Sequence, residues 1–419
     1  MRRSDISGFH KLSAEEKLST VRDFAGLDEE DLQLIRKTGR LDLETAGRMI
    51  ENVIGTFELP FGVATNFVIN GKDYLIPMVL EEPSVVAAAS NAAKLARSSG
   101  GFTTESDEPV MIGQVQLVGI PDMEKAKQAV LGNKERIFEL ANRQDSTLVK
   151  FGGGVKDVEV RDIATPGGDM LIVHLLVDVR DAMGANAVNT MSEAVSTFLE
   201  EITGGKRRLR IISNLAVHRK ARAEAVWSKE ELGEEAVDRI IDAYNFAVAD
   251  QFRCTTHNKG IMNGIDAVVL ATGNDFRAIE AGAHSFAAFT GSYHSLTHYE
   301  KNDNGDLIGR IELPLALGTV GGSTRTNPMA RIALKILGVQ SAKELSEVIA
   351  SVGLAQNFAA MRALANEGIQ QGHMKLHARN IAVIAGAEGP LVNAVAQKMV
   401  QEKNINVGRA QQILEELGK

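Results

Sequence analysis

The sequence predicts an α+β fold: a discontinuous helical large domain, an inserted ferredoxin-like (βαββαβ) small domain and a helical C-terminal segment. Three observations predict it. Residues 110–213 read as strand, helix, strand, strand, helix, strand, the split βαβ order. Helical periodicity and capping signals dominate on both sides of that run, so one domain is expected from 1–108 together with 217–374, around an insert at 109–216. At 419 residues the chain is also too long for one ordinary core. Residues 375–419 make up the remaining unit, read as a helix, a glycine-bearing break and a further helix.

From the N-terminus, Ser13-Ala-Glu-Glu16 is a capping box opening a helix to about Ala25, with Gly26 as its stop. Asp28 opens a second helix ending near Gly39, and a third spans about Leu43 to Ile54. Asn70-Gly71 lies between the apolar runs 64–69 and 72–80, a strong hairpin signal. The second strand delivers Glu81 and Glu82 just before Pro83, and Ser84 is placed to cap the alanine-rich helix Val85–Arg97. Within the insert, strands are expected at 110–119, 157–163, 170–179 and 207–213, with helices at 123–142 and 182–203. Beyond it, helices are expected over 229–250, 276–290, 328–338, 341–352 and 355–369, and a hairpin pairs 299–300 with 307–313. The stretch Cys254–Asp275 reads as a loop around Lys259, because three glycines and two asparagines crowd one lysine there.

Composition narrows the function classes. A net charge of −8 gives no general attraction to nucleic acid or anionic membrane, so an anionic substrate needs a local basic pocket. The single cysteine, Cys254, rules out an intrachain disulfide and fits a reducing compartment. The N-terminus MRRSDISGFHKLS has no apolar signal core, and no uninterrupted apolar run of membrane-spanning length follows, so a cytoplasmic protein with no membrane partner is expected.

The residues that can carry chemistry are scattered. A dinucleotide site would first be sought at a GxGxxG turn between a strand and a helix, and there is none; Gly152-Gly-Gly154 has the wrong context. Asp181-Ala-Met-Gly-Ala-Asn186 does lie at a strand-to-helix junction, where free N–H groups favour anions; an ordinary N-cap at Asp181 is the competing reading. Asp145 stands where a carboxylate would accept bonds from ribose hydroxyls and repel a 2′-phosphate; a solvated acid at a helix end is the alternative. His294/His298 and His373/His377 have i, i+4 spacing, but no glutamate or thiol set accompanies them, so no metal is expected.

Taken in order, Glu51-Asn-Val-Ile-Gly55, Glu81-Glu-Pro-Ser84, Asp181-Ala-Met-Gly-Ala-Asn186, His257-Asn-Lys-Gly-Ile-Met-Asn-Gly264, Gly318-Thr-Val-Gly-Gly-Ser-Thr324 and Gly372-His-Met374 resemble 3-hydroxy-3-methylglutaryl-CoA (HMG-CoA) reductase in its soluble class II form. The resemblance covers nearly the whole chain. It implies a four-electron oxidoreductase interconverting HMG-CoA with mevalonate and CoA through two hydride transfers. Lys259 matches the family's oxyanion-stabilising lysine, Glu82 its proton-supplying glutamate, Asp275 the aspartate linking the two, and His373 the histidine that protonates departing CoA thiolate. Ser84, Arg253 and Asn263 are implied to bind substrate, Arg253 by holding the HMG carboxylate. Asp181, Met183, Gly184, Asn186 and Asn214 are implied to bind the dinucleotide, with Asp145 favouring NADH and NADPH as the second cofactor. The resemblance also implies a homodimer with shared active sites, with a trimer of dimers left open, and a C-terminal flap that brings His373 over the substrate. Reduction and oxidation use the same residues, so mevalonate synthesis and mevalonate catabolism are both compatible with them. Two competing classes remain: a non-catalytic nucleotide- or CoA-binding protein, and a metal-dependent hydrolase using the histidine pairs.

Overall fold

Two sheets organise the chain, and the computed structural model describes residues 2–39, 41–366 and 378–417. Helices α1 (Ala14–Ala25), α2 (Glu29–Arg36) and α3 (Leu43–Met49) come first. The six-stranded sheet contains β1 (Phe61–Ile69), β2 (Lys72–Val79), β3 (Phe102–Ser106), β8 (Lys220–Trp227), β9 (Thr297–Lys301) and β10 (Leu307–Pro314), in the order β2-β1-β3-β8-β10-β9. The four-stranded sheet contains β4 (Val110–Val118), β5 (Gly154–Ile163), β6 (Met170–Asp178) and β7 (Lys206–Ser213), in the order β5-β6-β4-β7. All its pairings are antiparallel, which is the ferredoxin-like topology expected from the sequence.

Helix α4 (Val85–Arg97) follows β2. The insert carries α5 (Met123–Gly132), α6 (Lys134–Asn142), α7 (Ser146–Lys150) and α8 (Ala185–Thr203). After it come α9 (Lys229–Leu232), α10 (Glu234–Ala249), α11 (Gln251–Ala271), α12 (Phe276–Ala287), α13 (Gly322–Thr326), α14 (Pro328–Leu337) and α15 (Ala342–Asn366). The tail holds α16 (378–384), α17 (Pro390–Gln401) and α18 (Val407–Glu416).

Local chemistry explains the elements read correctly. Ser13 and Glu16 form the reciprocal capping box of α1, and Gly26 ends the helix at φ 70°. Asn70 and Gly71 both take positive φ in the β1–β2 turn, as a two-residue hairpin turn of matching twist requires.

The misread elements have physical causes. Residues 251–271 are a continuous helix, not a loop around Lys259. Gly264 has no side chain because α15 crosses there: a Cβ would lie 2.8 Å from the Gln356 Cβ. Asn258 is buried, donating to the His294 carbonyl and accepting from the Leu296 N–H. Packing thus overrides the low intrinsic propensity of these residues. The expected helices 341–352 and 355–369 are one helix over the described Ala342–Asn366, with 367–369 outside the described residues; Gly353 sits inside it, making room for Ile261 and Ile265 of α11. The expected helix 123–142 breaks at Asn133, whose amide bonds the Ala129 carbonyl. Helix α3 stops at Met49, and beyond it Ile54 is fully exposed and Phe57 90% exposed, so a longer helix would find no apolar partner among the described residues. Strands β3 and β8 carry weak signals; β8 alternates alanine with charged residues, and alanine disguises its buried face.

The core is centred on α15, which packs against α11, α4 and α10 and under β8. Trp227 of β8 stacks on Phe358 of α15 with ring centroids 3.9 Å apart. By length and composition α15 would suffice to cross a membrane, but 67% of its apolar window is buried in the protein. The tail has its own small core, formed by Ala378, Ala382, Val395, Met399, Ala410 and Ile413 among others.

Candidate active site

The end of β2 and one face of α11 build the first group. Glu82 follows β2, which packs on α11. Lys259 and Asn263 are one helical turn apart, so both side chains reach the same side. Lys259 Nζ lies 3.4 Å and Asn263 Nδ2 3.5 Å from Glu82 Oε2, long contacts at the edge of hydrogen bonding. Lys259 is 62% exposed at its side chain, so its ammonium is free to contact a ligand as well.

These residues line a cavity of about 310 Å³ together with Ser84, Arg253, His257 and Gln356. Ser84 does not cap α4 as expected. Its φ is 80°, it makes no cap hydrogen bond, and its Oγ is buried without a partner among the described residues. A β-carbon-bearing residue held left-handed, with an orphaned hydroxyl, indicates local strain kept at a site. Arg253 pairs with no carboxylate among the described residues; its one side-chain contact is Met361 Sδ at 3.8 Å. Burial pulls its guanidinium below the ordinary range. A half-buried, unpaired guanidinium is suited to a carboxylate ligand.

Two lining residues escaped the sequence reading. His257 donates or accepts at Thr297 Oγ1 (2.7 Å), and burial, then the Arg253 charge, push its pKa down to about 3, so it is neutral. Among the described residues its Nδ1 has no partner, and neither has Gln356 Oε1. The adjacent Gln356-Asn357 pair between apolar runs of α15 was the available signal for the latter.

Asp275 and His373 stand outside this group. Asp275 caps α12, accepting from the N–H groups of Arg277 and Ala278, and pairs with the Arg277 side chain. Lys259 lies twelve residues before the end of α11 at Ala271, about 18 Å of helical rise, so Asp275 of the same chain does not reach it. His373 lies outside the described residues.

The second group is the junction of β6 and α8. Gly184, not Asp181, is the N-cap of α8; its φ is 101°, and a Cβ there would lie 2.6 Å from Val179. No side chain caps this helix, so its first amides are available to an anion. Asn186, in its first turn, is exposed. Asp181 is engaged in the joint with the main domain: its carboxylate accepts from the Ala342 N–H (2.8 Å) and its carbonyl from Thr319. Gly318 approaches so closely that a Cβ would lie 2.7 Å from the Met183 nitrogen, and Gly282 likewise abuts the Asn214 carbonyl. Asp145 caps the short helix α7, accepting from the Leu148 N–H at 2.8 Å. Neither expected alternative for Asp145 is thereby complete, since one carboxylate oxygen is engaged by backbone and the residue stays half-exposed.

His294 and His298 are not on a helix; they occupy a turn and β9, bonded to Ser292 and Tyr244. A larger groove of about 770 Å³ on the outer sheet face is lined by Arg222 and Arg310, which are already paired with Asp107, Glu312, Glu224 and Glu300.

Residues 13–378 match the family Hydroxymethylglutaryl-coenzyme A reductase. The 3-hydroxy-3-methylglutaryl-coenzyme A reductase of Archaeoglobus fulgidus is 60% identical over 415 residues, covering 99% of this chain and 95% of its own. A probable reductase of the same name from Borreliella burgdorferi is 38% identical, covering 80% of this chain and 77% of its own. Among solved structures, the class II reductase of Streptococcus pneumoniae bound to NADPH in open conformations aligns with a TM-score of 0.82 at 41% identity, over 97% of this chain and all of that one.

Proposed function

The chain belongs to the hydroxymethylglutaryl-coenzyme A reductase family, in its class II form, and from that premise we propose how its residues carry the reduction of HMG-CoA to mevalonate. The thioester passes through mevaldyl-CoA hemithioacetal and mevaldehyde to the alcohol. When bound, the dinucleotide supplies hydride, two equivalents per turnover, with NADH preferred over NADPH. Asp181, Met183, Gly184, Asn186 and Asn214 hold it, and Asp145 meets its ribose; the uncapped start of α8 supports this seat for an anion.

Each reduction builds negative charge on a carbonyl oxygen, and Lys259 stabilises it. Glu82, within reach of both Lys259 and Asn263, supplies the protons. Arg253 binds the HMG carboxylate, Ser84 and Asn263 its oxygens, and His373 protonates the CoA thiolate. Asp275 completes the Lys259–Glu82 network from a second copy, because its own α11 holds it too far from Lys259. The protein therefore works as a homodimer with shared sites. The exposed Ile54 and Phe57 supply apolar surface for that association. We place it in the cytoplasm and divide it into 1–108 with 217–374, 109–216 and a flap, 375–419.

The observation that carries this reading is the Lys259–Glu82 pair in a cavity with the unpaired Arg253. The test is loss of reduced-nicotinamide absorbance on adding HMG-CoA. Two NADH should be consumed per HMG-CoA, NADPH more slowly, and Lys259→Ala should lose about a hundredfold or more. Undiminished turnover in that variant would remove Lys259 from its role. No consumption by the wild type with either cofactor, and no reduction of NAD by mevalonate plus CoA, would leave a binding protein.

A further inference from the structure

The joint between the β6–α8 turn and the main domain contains a buried cation. Arg219 lies on the return from β7 to β8 and is 5% exposed. Its Nη1 donates to the Ala182 carbonyl at 3.1 Å and the Met183 carbonyl at 3.4 Å, and its Nη2 donates to the Leu317 carbonyl. No carboxylate pairs with it among the described residues; Asp181 and Asp178 act on it only through space. Burial lowers its pKa to about 10, so it stays charged near neutrality.

A lone buried cation is an expensive way to hold a joint, since an apolar side chain of similar volume avoids the desolvation cost. What the guanidinium adds is direction and charge. In a trans peptide the N–H points opposite to the C=O, so drawing the Ala182 and Met183 carbonyls onto Arg219 turns the N–H groups of Met183 and Gly184 away from it. Gly184 is the cap of α8, whose start lacks any side-chain cap. Asp178 is already paired with Arg180 and Lys156, but Asp181 would otherwise present a negative charge close to an anion arriving there, and the protein as a whole carries −8.

We propose that Arg219 is a positioning residue for the dinucleotide: it sets the backbone of the Asp181–Asn186 turn in the form that receives the cofactor's pyrophosphate, and it offsets the charge of Asp181 beneath it. This rests on the reading above that the turn is the dinucleotide seat. It assigns to Arg219 no contact with substrate or reacting atoms.

The test compares full-length wild type with Arg219→Met and Arg219→Lys. NADH affinity is read directly by nicotinamide fluorescence, KM is measured separately for NADH and HMG-CoA, and thermal melting is recorded. In Arg219→Met the NADH Kd and KM should rise by at least about tenfold, while the HMG-CoA KM stays within about twofold. Arg219→Lys, which keeps the charge but cannot fork to three carbonyls, should recover part of the loss. Wild-type NADH affinity in Arg219→Met, or equal rises in both KM values with a lowered melting point, would make Arg219 joint packing only and overturn the proposal. Should Arg219→Met fail to fold, Arg219→Lys decides: a selective rise in the NADH KM supports the proposal, and unchanged values overturn it. A wild type that binds neither NADH nor NADPH would instead overturn the dinucleotide reading itself.

Discussion

Ser84 at the cavity and Asp266 on α11 show what single residues give up here. Ser84 is held at φ 80°, a conformation that costs a non-glycine residue about 1 kcal/mol or more. Ser84→Gly should therefore raise the melting temperature slightly while lowering turnover, because the unpartnered Oγ in the cavity is lost. A variant both less stable and equally active would contradict the assignment. Asp266 on α11 is half-buried beside Glu280 of α12, and burial, then Glu280, raise its pKa to about 8. Glu280 in turn meets His284, which meets Tyr293, while its own side chain stays 38% exposed. The folded state holds a proton that the unfolded chain releases near pH 4. The stability this gives is full below about pH 4 and is lost as pH rises through about 8. Asp266→Asn should thus gain stability over wild type at pH 8 to 9 and show no gain at pH 4; a pH-independent difference in melting temperature would refute the linkage.

At the scale of elements, the α11–α15 crossing decides where the cavity beside Lys259 and Glu82 lies. Gly264 allows it, and Gln356 and Asn357 opposite contribute polar groups to the cavity or its wall. Gly264→Ala would force a Cβ to within 2.8 Å of Gln356 and 3.2 Å of the Val352 carbonyl. We expect a loss of about 1–3 kcal/mol by denaturant titration, with a larger relative loss of turnover, since the helix face bearing Lys259 and Asn263 shifts against Glu82. Ordinary stability and activity in this variant would show that the crossing has slack. The same crossing explains why Lys259 was misread. Glycine and asparagine in a window are usually loop markers, yet here they permit close packing and buried hydrogen bonds of a helix.

At the scale of the whole molecule, the proposed site calls for a second copy of the chain. Twelve residues of α11 separate Lys259 from the helix end that precedes Asp275, and Ile54 and Phe57 lie exposed. Phe57→Glu should shift the protein toward monomer in analytical ultracentrifugation and reduce turnover in proportion to the lost dimer. Full activity in a monomeric variant would show that one chain suffices.

How much of this was legible in the sequence follows from the range of each interaction. Capping boxes, the Asn70-Gly71 turn, the β-α-β-β-α-β order of the insert and the family's motifs are local in the chain, so the sequence by itself determined the fold class, the family and the residues to inspect. It did not determine that Lys259 sits on a helix, that Ser84 is strained rather than a cap, that β3 and β8 join the main sheet, or that Arg219 lies under the α8 turn. Those depend on contacts between residues tens to hundreds apart, such as Gly264 with Gln356 and Arg219 with Leu317. Only the tertiary structure decides them, because burial, not local preference, sets which polar groups must find partners and which are left to meet a ligand.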